Sequence, residues 1–257
     1  MAQGTALITG ASAGLGVEFA KLCAAAGYDV VLVARSASRL EELAASLSAS
    51  HKIQARPLAA DLADPAAPGA IFAQMAGTPV DILINNAGFG VRGPFAETDW
   101  AKEAALLQVN VGALVHLTKL ILPSMVKRGN GRILNVASTA AYVPGPFMAM
   151  YYASKAFVLS FSEALANEVQ GTGVSVTALC PGPTRTEFAD VAGVANSKLF
   201  SGPTMGAEEV ARIGYDAMMA GKSSVIAGAR NRWTIGGARL LPRSWVAAQA
   251  RKLNEGK

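Results

Sequence analysis

The sequence predicts a doubly wound α/β fold, a parallel sheet with helices on both faces, formed as one domain over 257 residues. Three observations predict it. Short β-branched apolar runs alternate with longer amphipathic stretches, and strands separated by helices in this rhythm assemble into a parallel sheet. The runs "ALIT", "VVLVA", "ILIN" and "ILNVA" are continuously apolar, as expected of strands covered on both faces. The first of them leads into a glycine-rich turn that opens a helix.

In chain order, "TALIT" is a strand at 5–9, and the glycine turn after it starts a helix at 14–26. "DVVLVA" is the strand at 29–34, followed by an amphipathic helix at 37–48, a strand at 53–58 and a helix at 65–76. "ILIN" lies in a strand at 80–85, a long apolar stretch makes the helix 99–127, and "ILNVA" makes the strand 132–137. The remaining expectations are a helix at 151–170, strands at 174–180 and 224–227, and a helix at 206–219. One connection is long: Pro181 to about Met205, glycine- and proline-bearing at both ends, reads as a lid over a binding site.

Composition limits the function. At 51% hydrophobic and 16% charged, the chain can bury one large core, yet no stretch reaches about 18 unbroken apolar residues. No basic leader opens it, so a cytoplasmic protein without stable membrane insertion is expected. Cys23 and Cys180 have no metal-ligand spacing and read as buried reduced thiols. His51 and His116 stand alone, so no metal and no histidine catalysis are assigned. The net charge of +5 arises in the tail, where Arg230, Arg232, Arg239, Arg243, Arg251, Lys252 and Lys257 face a single acid, Glu255. No aromatic-interleaved groove accompanies them, so a solvated basic extension over about 230–257 is expected and no nucleic acid.

The turn "TGASAGLG", with Gly10, Gly14 and Gly16, places backbone N–H groups at a helix start, where a pyrophosphate would sit. The second strand ends in Ala34-Arg35, with Arg39 one helical turn on, where a carboxylate would be needed to hold a ribose 2′-hydroxyl. A guanidinium there forks onto a 2′-phosphate, favouring NADP over NAD. In "YYASK", Tyr151 and Lys155 share a helix face at i, i+4, while Tyr152 and Lys155 are offset by three.

In these motifs the sequence resembles the short-chain dehydrogenase/reductase family, whose landmarks "TGASAGLG", "NNAG", "NVAS", "YYASK" and "PGPTRT" occur in order between residues 4 and 228. The branch it resembles holds oxoacyl and steroid reductases. The resemblance implies a Rossmann fold and a catalytic set of Asn110, Ser138, Tyr151 and Lys155. It chooses Tyr151 over Tyr152, because Ser138 and Tyr151 stand thirteen apart as in the family. The Tyr152 hydroxyl is accordingly expected to be dispensable. The resemblance also implies cofactor contacts from the turn (Gly10, Ser12, Ala13, Gly14, Leu15, Gly16), from Asp61 and Leu62 at the adenine, and from Asn86, Ala87 and Gly88 at the ribose. Pro181, Gly182 and Thr184 would meet the nicotinamide, and Tyr151 and Lys155 also contact the cofactor. The family pattern often has two serines where this chain has Ala137-Ser138.

Such a set suits carbonyl reduction. A nicotinamide provides only the hydride, so a side chain must handle the proton. A free tyrosine, with pKa about 10, serves poorly until a neighbouring ammonium lowers it, which is the part expected of Lys155. Ser138 would bond the substrate oxygen, and Asn110 is implied to hold a water leading to solvent. Phe89, Val91, Val143, Phe147, Met148 and Met150 flank the motifs and Phe188, Val191, Val194, Leu199 and Phe200 populate the lid, which favours a small apolar carbonyl or alcohol substrate. The alternative is a non-catalytic NADP-sensing protein on the same fold. Helix 151–170 is apolar around most of its circumference, so a homodimer or homotetramer is expected to cover its outer face.

Overall fold

The structure is a computed structural model and describes residues 3–255 apart from 76, 195, 196, 198–201 and 203. Seven parallel strands form the central sheet in the order β3-β2-β1-β4-β5-β6-β9. The chain runs β1 (Thr5–Thr9), α1 (Gly14–Ala25), β2 (Asp29–Ala34), α2 (Ala37–His51), β3 (Ala55–Ala59), α3 (Ala67–Gln74) and β4 (Ile82–Asn85). It continues through α4 (Trp100–Leu107), a π-helical turn (Gln108–Ala113), α5 (Leu114–Arg128), β5 (Gly131–Val136) and a 3₁₀ turn (Thr139–Tyr142) to α6 (Ala149–Glu168) and β6 (Val174–Cys180). Then come β7 (Thr184–Arg185), α7 (Phe188–Val191), β8 (Met205–Gly206), α8 (Ala207–Met219), β9 (Ser224–Ile226), α9 (Ala229–Ala238) and α10 (Arg243–Asn254).

The continuous apolar runs have the expected cause. Ala6 and Ile8 of β1 pack into one layer with Phe19 of α1, while Leu7 between them packs into the opposite layer with Leu117 and Ile121 of α5. Successive residues of β1 therefore face core on both sides of the sheet. Pro57 sits within β3, and β3 is an edge strand, where a missing N–H costs no ladder bond on the open side. Cys23 and Cys180 are both free and buried.

Two expectations change. The helix expected at 99–127 is broken by the π turn, a one-residue widening that leaves the apolar pattern nearly intact and so is invisible to periodicity. By length and hydropathy the run Trp100–Arg128 could cross a bilayer, but Leu114, Leu117, Ile121 and Met125 bury one face of it in the fold. The basic tail is two helices with an inner face: Val246, Ala250 and Asn254 of α10 are buried at successive helical turns.

Candidate active site

The carboxyl ends of β1, β2, β4, β5 and β6 open onto one cavity of about 650 Å³. At one end β1 runs into the glycine turn. Gly10 has φ 65°, and a methyl built on it would meet Asn86 Nδ2 at 2.8 Å and the Ala87 Cα at 2.9 Å. Asn86 holds the turn closed by donating from Nδ2 to the carbonyls of Thr9 and Gly10 at 3.0 and 3.1 Å. Ala13, at the cap of α1, has no side-chain acceptor, so the first N–H groups of the helix are left for a ligand in the cavity that Ala13, Gly14 and Leu15 line. These features fit a pyrophosphate. Ser12, Asp61, Leu62, Ala87 and Gly88 line the same wall. Gly16 does not: a Cβ there would strike the Gly10 carbonyl oxygen, so this glycine permits turn and helix to pack and has no place on the wall.

Arg35 and Arg39 both border the cavity, but differently from expectation. Arg39 Nη1 donates to both carboxylate oxygens of Glu187, at 3.1 and 3.0 Å. Arg35 is exposed and has no such carboxylate among the described residues. The sequence offered no sign of Glu187, which lies 148 positions from Arg39.

At the other end, Ser138, Tyr151 and Lys155 lie on the wall together with Pro181, Gly182 and Thr184. Ser138 caps the 3₁₀ turn, its Oγ accepting from Ala140 N at 3.1 Å and donating to Pro181 O at 3.4 Å. Tyr151 is buried, with its ring 5.3 Å from that of Phe188. Burial pushes its hydroxyl pKa up, and the neighbouring Ser138 hydroxyl draws it partly back. Lys155 is not among the causes of that net rise. Its Nζ donates to Val136 O at 2.8 Å and lies 5.8 Å from the Tyr151 ring centre, while burial brings its own pKa down to about 8. A buried ammonium with one carbonyl partner among the described residues can donate to further acceptors on the cavity side, such as the hydroxyl oxygens of a ribose.

Asn110 also departs from expectation, since it stands behind the wall and does not line the cavity. The π turn aims its amide at Phe89: Oδ1 accepts from Phe89 N and Nδ2 donates to Phe89 O, both at 3.0 Å, with a third bond to Ser154 Oγ at 3.0 Å. Both amide hydrogens are thus spent on neighbouring protein groups, and the side chain fixes the Gly88–Phe89 edge of the cavity.

Phe89, Met148, Phe188, Val191 and Val194 give the Tyr151 end of the cavity an apolar wall, and Tyr152 lines it as well. Ala192 and Val194 pack with Met148, Tyr151 and Tyr152. Leu199 and Phe200 lie outside the described residues.

Residues 4–195 match the family described as short chain dehydrogenase. The ketoacyl reductase HetN of Nostoc sp. is 37% identical over 206 residues, 76% of this chain and 71% of that protein. A very-long-chain 3-oxoacyl-CoA reductase of Phaeosphaeria nodorum is 40% identical over 66% of this chain, and the match spans about half (52%) of that longer protein. Among solved structures, a short-chain dehydrogenase of Sphingobium yanoikuyae in complex with NADPH superposes with a TM-score of 0.83 at 34% identity, covering 92% of this chain and 94% of the other. The bulky-bulky ketone specific alcohol dehydrogenase of Comamonas testosteroni gives 0.79 at 28% identity and 93% of each chain.

Proposed function

This chain belongs to the short-chain dehydrogenase/reductase family of oxidoreductases, and from that membership we propose that it is an NADP(H)-dependent enzyme interconverting an apolar ketone and its secondary alcohol. The observation that carries the reading is the single cavity with an uncapped glycine turn and Arg35 at one end and Ser138, Tyr151 and Lys155 beneath an apolar wall at the other. Relatives named for oxoacyl reduction and a neighbour named for bulky ketones support the substrate class.

When bound, the nicotinamide supplies the hydride to the carbonyl carbon. The Tyr151 hydroxyl gives the proton to the carbonyl oxygen, and burial keeps that hydroxyl protonated and ready to donate. Ser138 steadies the same oxygen with its own hydroxyl as negative charge develops there. Lys155, fixed by Val136 O, puts positive charge below the ring that must carry the phenolate. Asn110 and Asn86 are positioning residues for the two edges of the cavity. Phe188 and Met148 exclude water from the reacting carbonyl.

NADPH consumption measured against bulky ketones, aldehydes and oxoacyl thioesters tests this, with Tyr151→Phe as the companion variant. Turnover by the wild type and its loss by at least about a hundredfold in Tyr151→Phe, with NADPH binding retained, is the expected result. A wild type that binds NADPH and turns over none of these substrates makes the chain a sensing protein, and a preference for NADH overturns the cofactor assignment.

A further inference from the structure

Asn254, at the end of α10, is a polar side chain with no solvent exposure, close to the C-terminus of the described chain. Its groups are all engaged, with three separate segments. Nδ2 donates to Pro146 O at 2.9 Å, Oδ1 accepts the Tyr152 hydroxyl at 3.2 Å, and the main-chain carbonyl accepts from Arg92 Nε at 2.8 Å. Arg92 extends the connection, since its Nη1 reaches Gly193 O at 3.4 Å beside the buried Ala192 and Val194.

The segment held in this way is unusual. Phe147 has φ 65°, a left-handed conformation that is strained for a residue with a Cβ and persists only where surroundings over-determine it. Asn254 holds the carbonyl before it, Gly93 N donates to the carbonyl of Phe147 itself at 2.9 Å, and the Arg251 guanidinium lies 4.8 Å from its ring centre. Phe147 leads straight into Met148, which is buried in the cavity wall and caps α6, three residues ahead of Tyr151. The corner therefore sets where the apolar wall and the helix carrying Tyr151 begin.

We propose that Asn254 is a positioning residue of the substrate pocket: through Tyr152, Pro146 and Arg92 it clamps the wall formed by Met148 and Val194 against Tyr151, so that the C-terminal helix determines how large a carbonyl compound the site accepts. This makes the Tyr152 hydroxyl a working part of the site, contrary to the sequence expectation. The proposal rests on the reductase reading for its kinetic arm only.

Asn254→Ala, Tyr152→Phe and the double variant test it, with Lys252→Ala on the exposed side of α10 as the control. With NADPH saturating, Asn254→Ala should raise the KM for a bulky ketone about tenfold and change kcat about twofold or less, as expected for loss of one or two buried hydrogen bonds that shape the wall. Tyr152→Phe should reproduce part of that rise, and the double variant should be no worse than Asn254→Ala, because both remove the same bond. Hydrogen exchange on the protein without substrate should show faster exchange at 145–149 and 188–194 with the sheet unchanged. This arm holds even if no ketone is turned over, so failure of the reductase reading is told apart from failure of the clamp. Should Asn254→Ala not fold, Tyr152→Phe cuts the same bond from the other side. Unchanged KM in both single variants, additive effects in the double, or faster exchange spread evenly over the sheet would overturn the proposal.

Discussion

Glu187 and Arg39 meet across the mouth of the cavity with both side chains more than half exposed, so their pairing is worth at most about 1 kcal/mol. A 2′-phosphate arriving beside Arg35 would compete with that carboxylate for Arg39 and be repelled by it. Glu187→Gln should therefore tighten NADPH binding by up to about fivefold and leave NADH unaffected, whereas Arg35→Ala should weaken NADPH by roughly tenfold or more. Titration calorimetry with both cofactors checks the pair, and equal effects on NADPH and NADH would remove the phosphate from this end of the cavity. Lys155 carries the opposite kind of cost. Its pKa falls from 10.5 to about 8 by burial, so between those values the folded chain binds fewer protons than the unfolded one and stability rises with pH through that window. Below it the buried charge costs roughly 3 kcal/mol, which Lys155→Met should in part recover at pH 7 as a higher Tm while turnover is lost. For the same reason ketone reduction by the wild type should decline as pH rises through about 8, because the ammonium is the form that supports the Tyr151 phenolate.

The elements that positioned the site were legible wherever the signal was local. Strand ends, the glycine turn and the helix bearing Tyr151 follow from apolar runs and spacing, and the catalytic and cofactor residues expected from the motifs line the cavity except Gly16 and Asn110, whereas Val91, Val143, Phe147 and Met150 of the expected apolar surroundings stand outside its lining. What escaped the sequence involves partners distant along the chain. The π turn at Gln108–Ala113 keeps an apolar pattern that an unbroken helix would share, yet it is what turns Asn110 toward Phe89. Asn254 is one polar residue in a basic tail, and only the fold brings it to Tyr152, 102 positions away. The π turn makes its own prediction. Asn110→Ala would remove both bonds to the partly buried main chain of Phe89 and one of the two bonds of the buried Ser154 hydroxyl, which keeps Tyr151 O, costing roughly 1–3 kcal/mol in urea unfolding. If that variant unfolds with the wild-type midpoint, the amide is not what holds the cavity edge.

For the whole molecule, α6 poses a question of covering. Its inner residues Tyr151, Ser154, Lys155, Val158, Ser162 and Leu165 are buried, so the sheet and the cavity account for one side. The outer side presents Ala153, Ala156, Phe157, Ser160, Glu163 and Ala164 to solvent, each with a neighbour three or four positions away, and Phe157 is 45% exposed while stacking on Phe161 at 5.9 Å. Small residues flanking a phenylalanine let a second helix approach closely, and an identical helix related by a two-fold axis presents the same stripe in return. Trp100 and Val126, on the helical run before β5, are exposed large apolar side chains of the kind such an interface would cover. We therefore predict a homodimer through α6, alone or within a tetramer, with a mass at micromolar concentration of at least twice 26.4 kDa by light scattering. Phe157 is the residue to test. Phe161 is half-buried against the core, so a charge there would threaten the fold itself, whereas Phe157→Asp places the charge on the outer face. Two charges meeting at the axis should separate the copies while circular dichroism and Tm stay near wild type. A wild type of monomer mass, or a Phe157→Asp variant that keeps the assembled mass, would place the interface elsewhere or remove it.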